Sequence, residues 1–434
     1  MARPNVLLVV ADDLGYGDLG CYGGDIPTPN LDRLADDGGR LTDWHANGPI
    51  CSPTRASLLT GKYPQHAGMS SNGPEGHPST DPAEGLPTDR PTLPALLGEV
   101  GYRTGAFGKW HLGMTDDDDP IAHGFDEFFG VRSGCVDYFS HLQVWLQAHG
   151  HPPYHDLWDG REEIRRDGAY LPHRITERAC EFVGGETPFF AYVAYNAPHY
   201  PLHAPPEYDD RLTHLAGERR RYGALVSVLD EGVGQLLDAL ESEGVADETL
   251  VVFTSDHGPS REVRNHLDGA ETPFRGGSAG PFRGHKFSLF EGGIRIPGIV
   301  AYPGETEGGA VNDELATTMD VLPTVLDYCD IDPPEDCDGE SLRGLLTDDD
   351  PSPHDRVYWA FRDQAAVRAG DWKLVLDGEE IPPDATTAQF RTVEGAHLAN
   401  LADDPGESTN LADARPGRRA DLEEDLQRWL DDGR

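Results

Sequence analysis

The sequence predicts an α/β protein: a large mixed, mostly parallel sheet flanked by helices, with a small C-terminal antiparallel sheet and a closing helix. Three observations carry this expectation. Four short apolar runs are continuous rather than alternating, and each ends at polar residues able to do chemistry. Continuous runs of this length mark strands buried on both faces. Stretches with apolar residues at helical spacing lie between them, and strands alternating with helices build a doubly wound sheet. After Pro351-Ser352-Pro353 the pattern changes to short strand-like runs separated by turns, the mark of a small antiparallel sheet.

In chain order, Val6 to Val10 leads through Ala11 to Asp12-Asp13. Asn30 to Asp37 follows as a helix with Leu31, Leu34 and Ala35 on one face, and Thr92 to Val100 as another with Leu93, Leu96 and Leu97. Tyr102 to Phe107 runs into Gly108-Lys109-Trp110-His111, and Phe189 to Tyr195 into Asn196-Ala197-Pro198-His199. The longest helical pattern, Arg221 to Glu243, precedes Leu250 to Thr254, which ends at Ser255-Asp256-His257-Gly258. In such sheets the ligand sits beyond the carboxyl ends of the strands, so these four polar ends are expected in one pocket. Asp116 to Asp119 reads as a solvated turn, and Ser260 to Gly284 as a long loop of the kind that carries function. Val357 to Phe361, Ala365 to Arg368 and Trp372 to Leu376 supply the small sheet, and Arg418 to Leu430 the closing helix. These patterns divide the chain into a large α/β domain, residues 1–350, and a smaller antiparallel-sheet subdomain, residues 351–434.

The chain has 434 residues, 77 acidic and 35 basic, for a formal charge of −42. That excludes a nucleic-acid binder, which needs a basic face, and argues against docking on anionic lipid. Hydrophobic residues at 37% are enough for a core, so the acidity is not that of a disordered chain. Lysine occurs only at Lys62, Lys109, Lys286 and Lys373; the other 31 basic residues are arginine. A carboxylate surface emptied of lysine suits high salt, where screening relieves self-repulsion, and we expect a halophilic host. Six cysteines with no CxxC pair make neither a disulfide framework nor a zinc site. The opening Met1-Ala2-Arg3-Pro4 shows no signal peptide and no stretch has the length of a membrane span, so a cytoplasmic location is expected.

The most specific feature is Cys51-Ser52-Pro53-Thr54-Arg55, followed by Leu59-Thr60-Gly61. Cys-x-Pro-x-Arg with Leu-Thr-Gly resembles the sulfatase signature, in which the cysteine is oxidised to formylglycine. Gly101-Tyr102-Arg103-Thr104-Gly105-Ala106-Phe107-Gly108-Lys109-Trp110-His111 resembles that family's second signature, in its Gly-Lys-Trp-His form. The likeness continues through Asp12-Asp13, Ala197-Pro198-His199, Arg283-Gly284-His285-Lys286, Glu291-Gly292-Gly293-Ile294-Arg295-Ile296-Pro297 and Asp320-Val321-Leu322-Pro323-Thr324. Asp256-His257-Gly258 stands where the family usually has Asp-Asn-Gly, so His257 is a departure.

The chemistry asks for these residue types. As the S–O bond breaks, charge grows on the bridging oxygen, so catalysis needs cations round the sulfuryl group, a nucleophile and an acid for the leaving alcohol. Asp12, Asp13 and Asp256 offer hard oxygens suited to Ca²⁺ or Mg²⁺. The imidazole of His257 is softer and admits Mn²⁺; Ca²⁺ remains the first expectation. Two of the four lysines, Lys109 and Lys286, fall in pocket motifs, and a compact ammonium can contact sulfate and donate a proton. Lys62 and Lys373 read as structural, and Cys21, Cys135, Cys180, Cys329 and Cys337 as packed thiols.

The resemblance implies roles residue by residue. Cys51, matured by a formylglycine-generating enzyme, carries the nucleophile and joins the metal ligands Asp12, Asp13, Asp256 and His257, with Asp256 as base. Arg55 holds the modified residue and its neighbours. Lys109, Lys286 and His199 bind the sulfuryl oxygens, Lys286 or His199 protonates the leaving alcohol, and His111 takes the proton that releases sulfate. The expected substrate is a sulfated carbohydrate or an aryl sulfate. A phosphodiesterase or phosphonate monoester hydrolase on the same fold, an alkaline-phosphatase-like phosphatase, and a catalytically silent binder of sulfated glycans remain as other readings at this stage.

Overall fold

The computed structural model describes residues 3–72, 85–145, 152–348 and 350–433. Of the features above, Met1-Ala2 lies outside these. Ten strands form the main sheet, in the spatial order Ala310–Asn312, Gly39–Leu41, Gly298–Ala301, Thr249–Ser255, Asn5–Ala11, Phe189–Ala194, Arg103–Lys109, Glu127–Val131, Trp158–Asp159, Glu162–Glu163. The five from Thr249–Ser255 to Glu127–Val131 are mutually parallel. Gly298–Ala301 and Trp158–Asp159 flank them antiparallel.

The first strand shows why its run is uninterrupted. Leu7, Val9 and Ala11 enter one core, while Val6, Leu8 and Val10 enter another on the opposite face. The first core receives helices Pro29–Asp37, Leu171–Val183 and Gly217–Ser242. The second receives Cys51–Thr60, Leu93–Glu99 and Val321–Tyr328. With helices on both faces, a parallel strand has no solvent side and no polar alternation.

The C-terminal sheet holds four antiparallel strands, Val357–Phe361, Gln364–Ala369, Trp372–Glu380 and Arg391–Asn400, in that order. Here side chains do alternate. Trp359, Phe361, Ala366 and Val375 pack on Ile50, Leu289, Phe290 and Ile294 from the larger part. Ala365, Val367, Leu374 and Leu398 pack on Leu422 and Leu426 of the helix Pro416–Asp432.

Polar groups lock the two sheets together. Arg368 donates from both terminal nitrogens to Asp43, at 2.7 and 2.6 Å. Lys373 Nζ lies 2.8 Å from Glu291 and 3.3 Å from Glu407, all three fully buried. Lys373 is therefore structural as expected, and so is Lys62, which pairs with Asp336. Asp43, His45 and Glu291 lie close enough to suggest a metal site, but Arg295, Arg368 and Lys373 already neutralise them.

Two smaller expectations need correction. Asp118 and Asp119 are buried rather than solvated, because Arg132 and Arg161 reach Asp119 at 3.0 and 2.8 Å and Thr115 donates to Asp118. Cys21, Cys180 and Cys337 are only partly buried, while Cys135 and Cys329 are packed inside; all six cysteines are free thiols. Among the described residues, no helix is long and apolar enough to cross a membrane.

Candidate active site

The four polar strand ends and the Cys51 helix meet at one edge of the sheet. Ala11 stops the first strand and Asp13 takes a left-handed backbone (φ 69°), which turns Asp12 and Asp13 together over the sheet edge. The Tyr222 hydroxyl donates to the Asp13 carbonyl at 2.9 Å, and the Asp13 amide donates to Asp256 Oδ1 at 3.2 Å. The neighbouring strand ends at Ser255, whose hydroxyl accepts from the Leu14 amide and donates to the His257 carbonyl. Gly258 is required here, since a Cβ would lie 2.0 Å from the Gly292 carbonyl oxygen. That contact joins the Asp-His-Gly turn to the Glu-Gly-Gly block. Gly108 is required likewise: its φ is 112° and a Cβ would meet the Ala194 carbonyl at 2.0 Å.

Cys51 opens the helix Cys51–Thr60, which is buried along its whole length. Its Sγ lies 3.5 Å from Asp12 Oδ1 and 3.3 Å from His257 Nε2. Sγ, one oxygen each of Asp12 and Asp256, and a His257 nitrogen all fall within 4.8 Å of one another. Each of the three carboxylates is held by a cation, on the far oxygen for Asp12 and Asp256. Lys109 Nζ donates to Asp12 Oδ2 at 2.7 Å, Arg55 donates to Asp256 Oδ2 at 3.2 and 2.9 Å, and Lys286 Nζ reaches Asp13 Oδ1 at 3.0 Å. His257 Nδ1 donates to the Gly258 carbonyl at 2.9 Å, which leaves Nε2 as the nitrogen facing Cys51.

Arg55 does not contact Cys51 through a hydrogen bond. It bonds Asp256, the Lys109 carbonyl and the Tyr192 hydroxyl, and passes 3.8 Å from Asp12. It therefore organises the carboxylates. His199 donates from Nδ1 to the Tyr200 carbonyl at 2.9 Å and presents Nε2 3.9 Å from Asp13 Oδ2. His111, with left-handed backbone (φ 57°), accepts the Ser52 hydroxyl on its carbonyl at 2.6 Å, one residue from Cys51. Cys51, His111, His199 and Lys286 line one cleft of about 970 Å³. Asp12, Asp13, Arg55, Lys109, Asp256 and His257 lie beneath it, each with 2% or less of its surface exposed.

Burial governs the charge states. It pushes the Asp12 and Asp13 carboxyls up to about 6, against the pull of Lys109 and Lys286 respectively. Burial would raise Asp256 too, but His257, Arg55 and Lys109 hold it well below the usual carboxylate range. Lys109 and Lys286 are desolvated, yet Asp12 and Asp13 keep them charged, with raised values. Burial pushes the His199 imidazole well below its ordinary value, helped by Lys286 and Lys109. The Cys51 thiol is driven up by burial.

Some participants carried no signal in the sequence. Tyr192 is one apolar residue in a buried strand until its hydroxyl is seen on Arg55. Glu262 lies in the loop after Gly258 and pairs with Lys286 at 3.1 Å. Asn72 accepts the Ser52 amide at 2.9 Å.

Comparison with known proteins agrees with this geometry. The family model for sulfatases matches residues 4–331, and that for the N-sulphoglucosamine sulphohydrolase C-terminal region matches residues 282–433. The chain is 32% identical to arylsulfatase J of Mus musculus over 96% of its own length and 74% of that protein. It is 33% identical to N-acetylgalactosamine-6-sulfatase of Mus musculus over 94% and 82%. Among solved structures it is similar to Ps i-CgsB in complex with k-i-k-neocarrahexaose, with TM-score 0.85 and 29% identity over 100% of this chain and 94% of that one. With both signatures on one cleft and the match running through both sheets, the chain belongs to the sulfatase family and is a sulfatase.

Proposed function

We propose that this sulfatase hydrolyses sulfate esters of carbohydrates, using formylglycine made from Cys51 and a divalent cation held by Asp12, Asp13, Asp256 and His257. The observation that supports this most is the packing of Cys51 Sγ against Asp12 and His257, between Lys109 and Lys286. The donor set fits a cation. Asp12 and Asp256 each turn one oxygen toward Cys51 or His257 while a basic group occupies the other oxygen, an outer shell that orients ligands. Carboxylate oxygens favour Ca²⁺, and the single imidazole keeps Mg²⁺ or Mn²⁺ as alternatives.

When bound, the cation supplies positive charge at the sulfuryl oxygens, and the oxidised Cys51 side chain supplies the nucleophile. The chain's own residues do the rest. Lys109 Nζ and Lys286 Nζ, the compact charges flanking Cys51, bind the sulfuryl oxygens together with His199 Nε2. Lys286 Nζ holds the proton delivered to the leaving alcohol; His199 keeps its own proton on Nδ1 toward the Tyr200 carbonyl, and its Nε2 shares that role only by taking up a second proton as the substrate's negative charge offsets burial and the two lysines. His111, at the cleft wall, accepts the proton whose loss frees sulfate. Arg55 donates from Nε and Nη2 to Asp256 Oδ2, which suits Asp256 to ligation more than to proton transfer. Maturation requires a formylglycine-generating enzyme.

A carbohydrate substrate is supported by the names of two relatives, one an N-acetylgalactosamine-6-sulfatase and one solved with a neocarrahexaose. Matured protein loaded with Ca²⁺ and given paired aryl sulfate and aryl phosphate esters should turn over the sulfate at least about a hundredfold faster, a preference of roughly 2.7 kcal/mol. A preference for the phosphate ester would instead support a phosphodiesterase or phosphonate hydrolase.

A further inference from the structure

The cleft extends well beyond the sulfuryl pocket, to the turn that joins the first two strands of the C-terminal sheet. Ala360, Phe361, Arg362, Asp363 and Gln364 form part of its wall. This turn is held rigidly. Gln364 is 1% exposed; it donates to the Phe287 carbonyl at 2.8 Å and accepts the Leu289 and Glu379 amides. Gln65 donates to the Ala360 carbonyl at 2.9 Å from the other side. The turn is thus fixed beside Lys286 by buried bonds on both flanks.

Phe287, next to Lys286, has a left-handed backbone (φ 75°). Strained non-glycine backbone of this kind gathers at functional sites. Its ring stacks on Phe361 at 6.4 Å. Lys286 Nζ lies 5.6 Å from the Phe287 ring centre, and the Arg362 guanidinium lies 5.3 Å from the same centre. The two cations are therefore at most about 11 Å apart across one aromatic ring, a spacing that a disaccharide spans. Arg362 is half exposed, and its ion pair to Glu379 is long at 3.4 Å. Such a pair holds an arginine only weakly.

We propose that Arg362 is a specificity-determining residue: it binds a second anionic group, sulfate or carboxylate, on the sugar next to the one whose sulfate is cleaved. This rests on the sulfatase reading and narrows it to polyanionic glycans. The physical need follows from the charge of −42, since a polyanion approaching such a body is repelled except where cations line its path. A planar fork on a rigid turn suits a carboxylate or sulfate better than an ammonium would.

The test is kinetic. Matured, Ca²⁺-loaded wild type and Arg362→Gln are compared on a disulfated disaccharide, a monosulfated disaccharide with a neighbouring uronate, a monosulfated neutral disaccharide and an aryl sulfate. Glutamine removes the guanidinium and its charge and keeps the first three carbons of the arginine stem. The expected result is a rise of about tenfold in KM, with kcat unchanged, on substrates with the second charge, and less than about twofold on the others. A rise on the disulfated ligand alone identifies sulfate as the group read; a rise on both charged ligands identifies either oxyanion. The tenfold effect should shrink as salt is raised. Equal effects on all four substrates, or none on either charged disaccharide, would overturn the proposal. If wild type releases sulfate from none of them, the sulfatase reading fails separately, and calorimetric binding of the same disaccharides to both proteins still reads Arg362.

Discussion

Removing the Arg55 guanidinium would leave Asp256 buried and ionised with nothing on Oδ2, and would free the Lys109 carbonyl and the Tyr192 hydroxyl. Breaking a buried pair by deleting one partner costs about 3–5 kcal/mol. Arg55→Ala should lose about that much stability in chemical denaturation without divalent cation. Saturating Ca²⁺ should restore part of the loss, because the cation replaces the missing charge; an equal loss with and without Ca²⁺ would remove Asp256 from the ligand set. The sequence marked Arg55 through its place four residues after Cys51, but not its partner. Asp256 lies 201 residues away, and no local periodicity reports such a pairing. Lys109 and Lys286 were legible for a different reason, that a nearly lysine-free chain keeps them in pocket motifs. Arg362 was not, because arginine is common here and its position beside Phe287 exists only in the folded chain.

Elements buried on both faces were legible; those at the margins were not. Asn5–Ala11 and Thr249–Ser255 extend the expected runs by a residue or so at each end, since helices on both faces demand unbroken apolar sequence. Glu162–Glu163 is two exposed acidic residues, and its pairing is dictated by its neighbour rather than its composition. The helix Cys51–Thr60 also escaped notice, because it is buried all round and has no polar face to set a period. The Asp320 turn has a pH dependence of its own. Asp320 accepts the Thr317 amide at 2.8 Å and the Glu340 amide at 2.9 Å, and His354 Nε2 at 2.8 Å ties the approach to the C-terminal sheet onto it. Burial would lower the His354 value, but Asp320 outweighs it and raises it above the ordinary 6.5. A raised histidine stabilises fully below its unfolded value and loses that contribution as pH climbs through the folded one. The melting-temperature gap between wild type and His354→Gln should therefore be widest below about pH 6.5 and narrow above it. A gap constant across that range would contradict the ion pair.

For the whole molecule, charge and site pull in opposite directions. A net −42 repels itself and any sulfated substrate, while the cleft gathers Lys109, Lys286 and Arg55 beneath its mouth. Salt screens the surface repulsion over a Debye length of roughly 10 Å at 0.1 M and 3 Å at 1 M, and reaches the buried pairs far less. The melting temperature should accordingly rise between dilute buffer and molar KCl, with the midpoint in denaturant moving in the same direction. A melting temperature that falls with salt would mean that surface attraction, not repulsion, dominates. The account as a whole stands on Cys51 as the source of the nucleophile. Sulfate release from a sulfated sugar, measured on wild type and Cys51→Ala produced with the maturation enzyme, tests that most directly. Wild type should turn over, and Cys51→Ala, folded to the same melting temperature within a few degrees, should lose at least about a thousandfold, roughly 4 kcal/mol of transition-state stabilisation. A Cys51→Ala protein that releases sulfate at the wild-type rate would contradict the account.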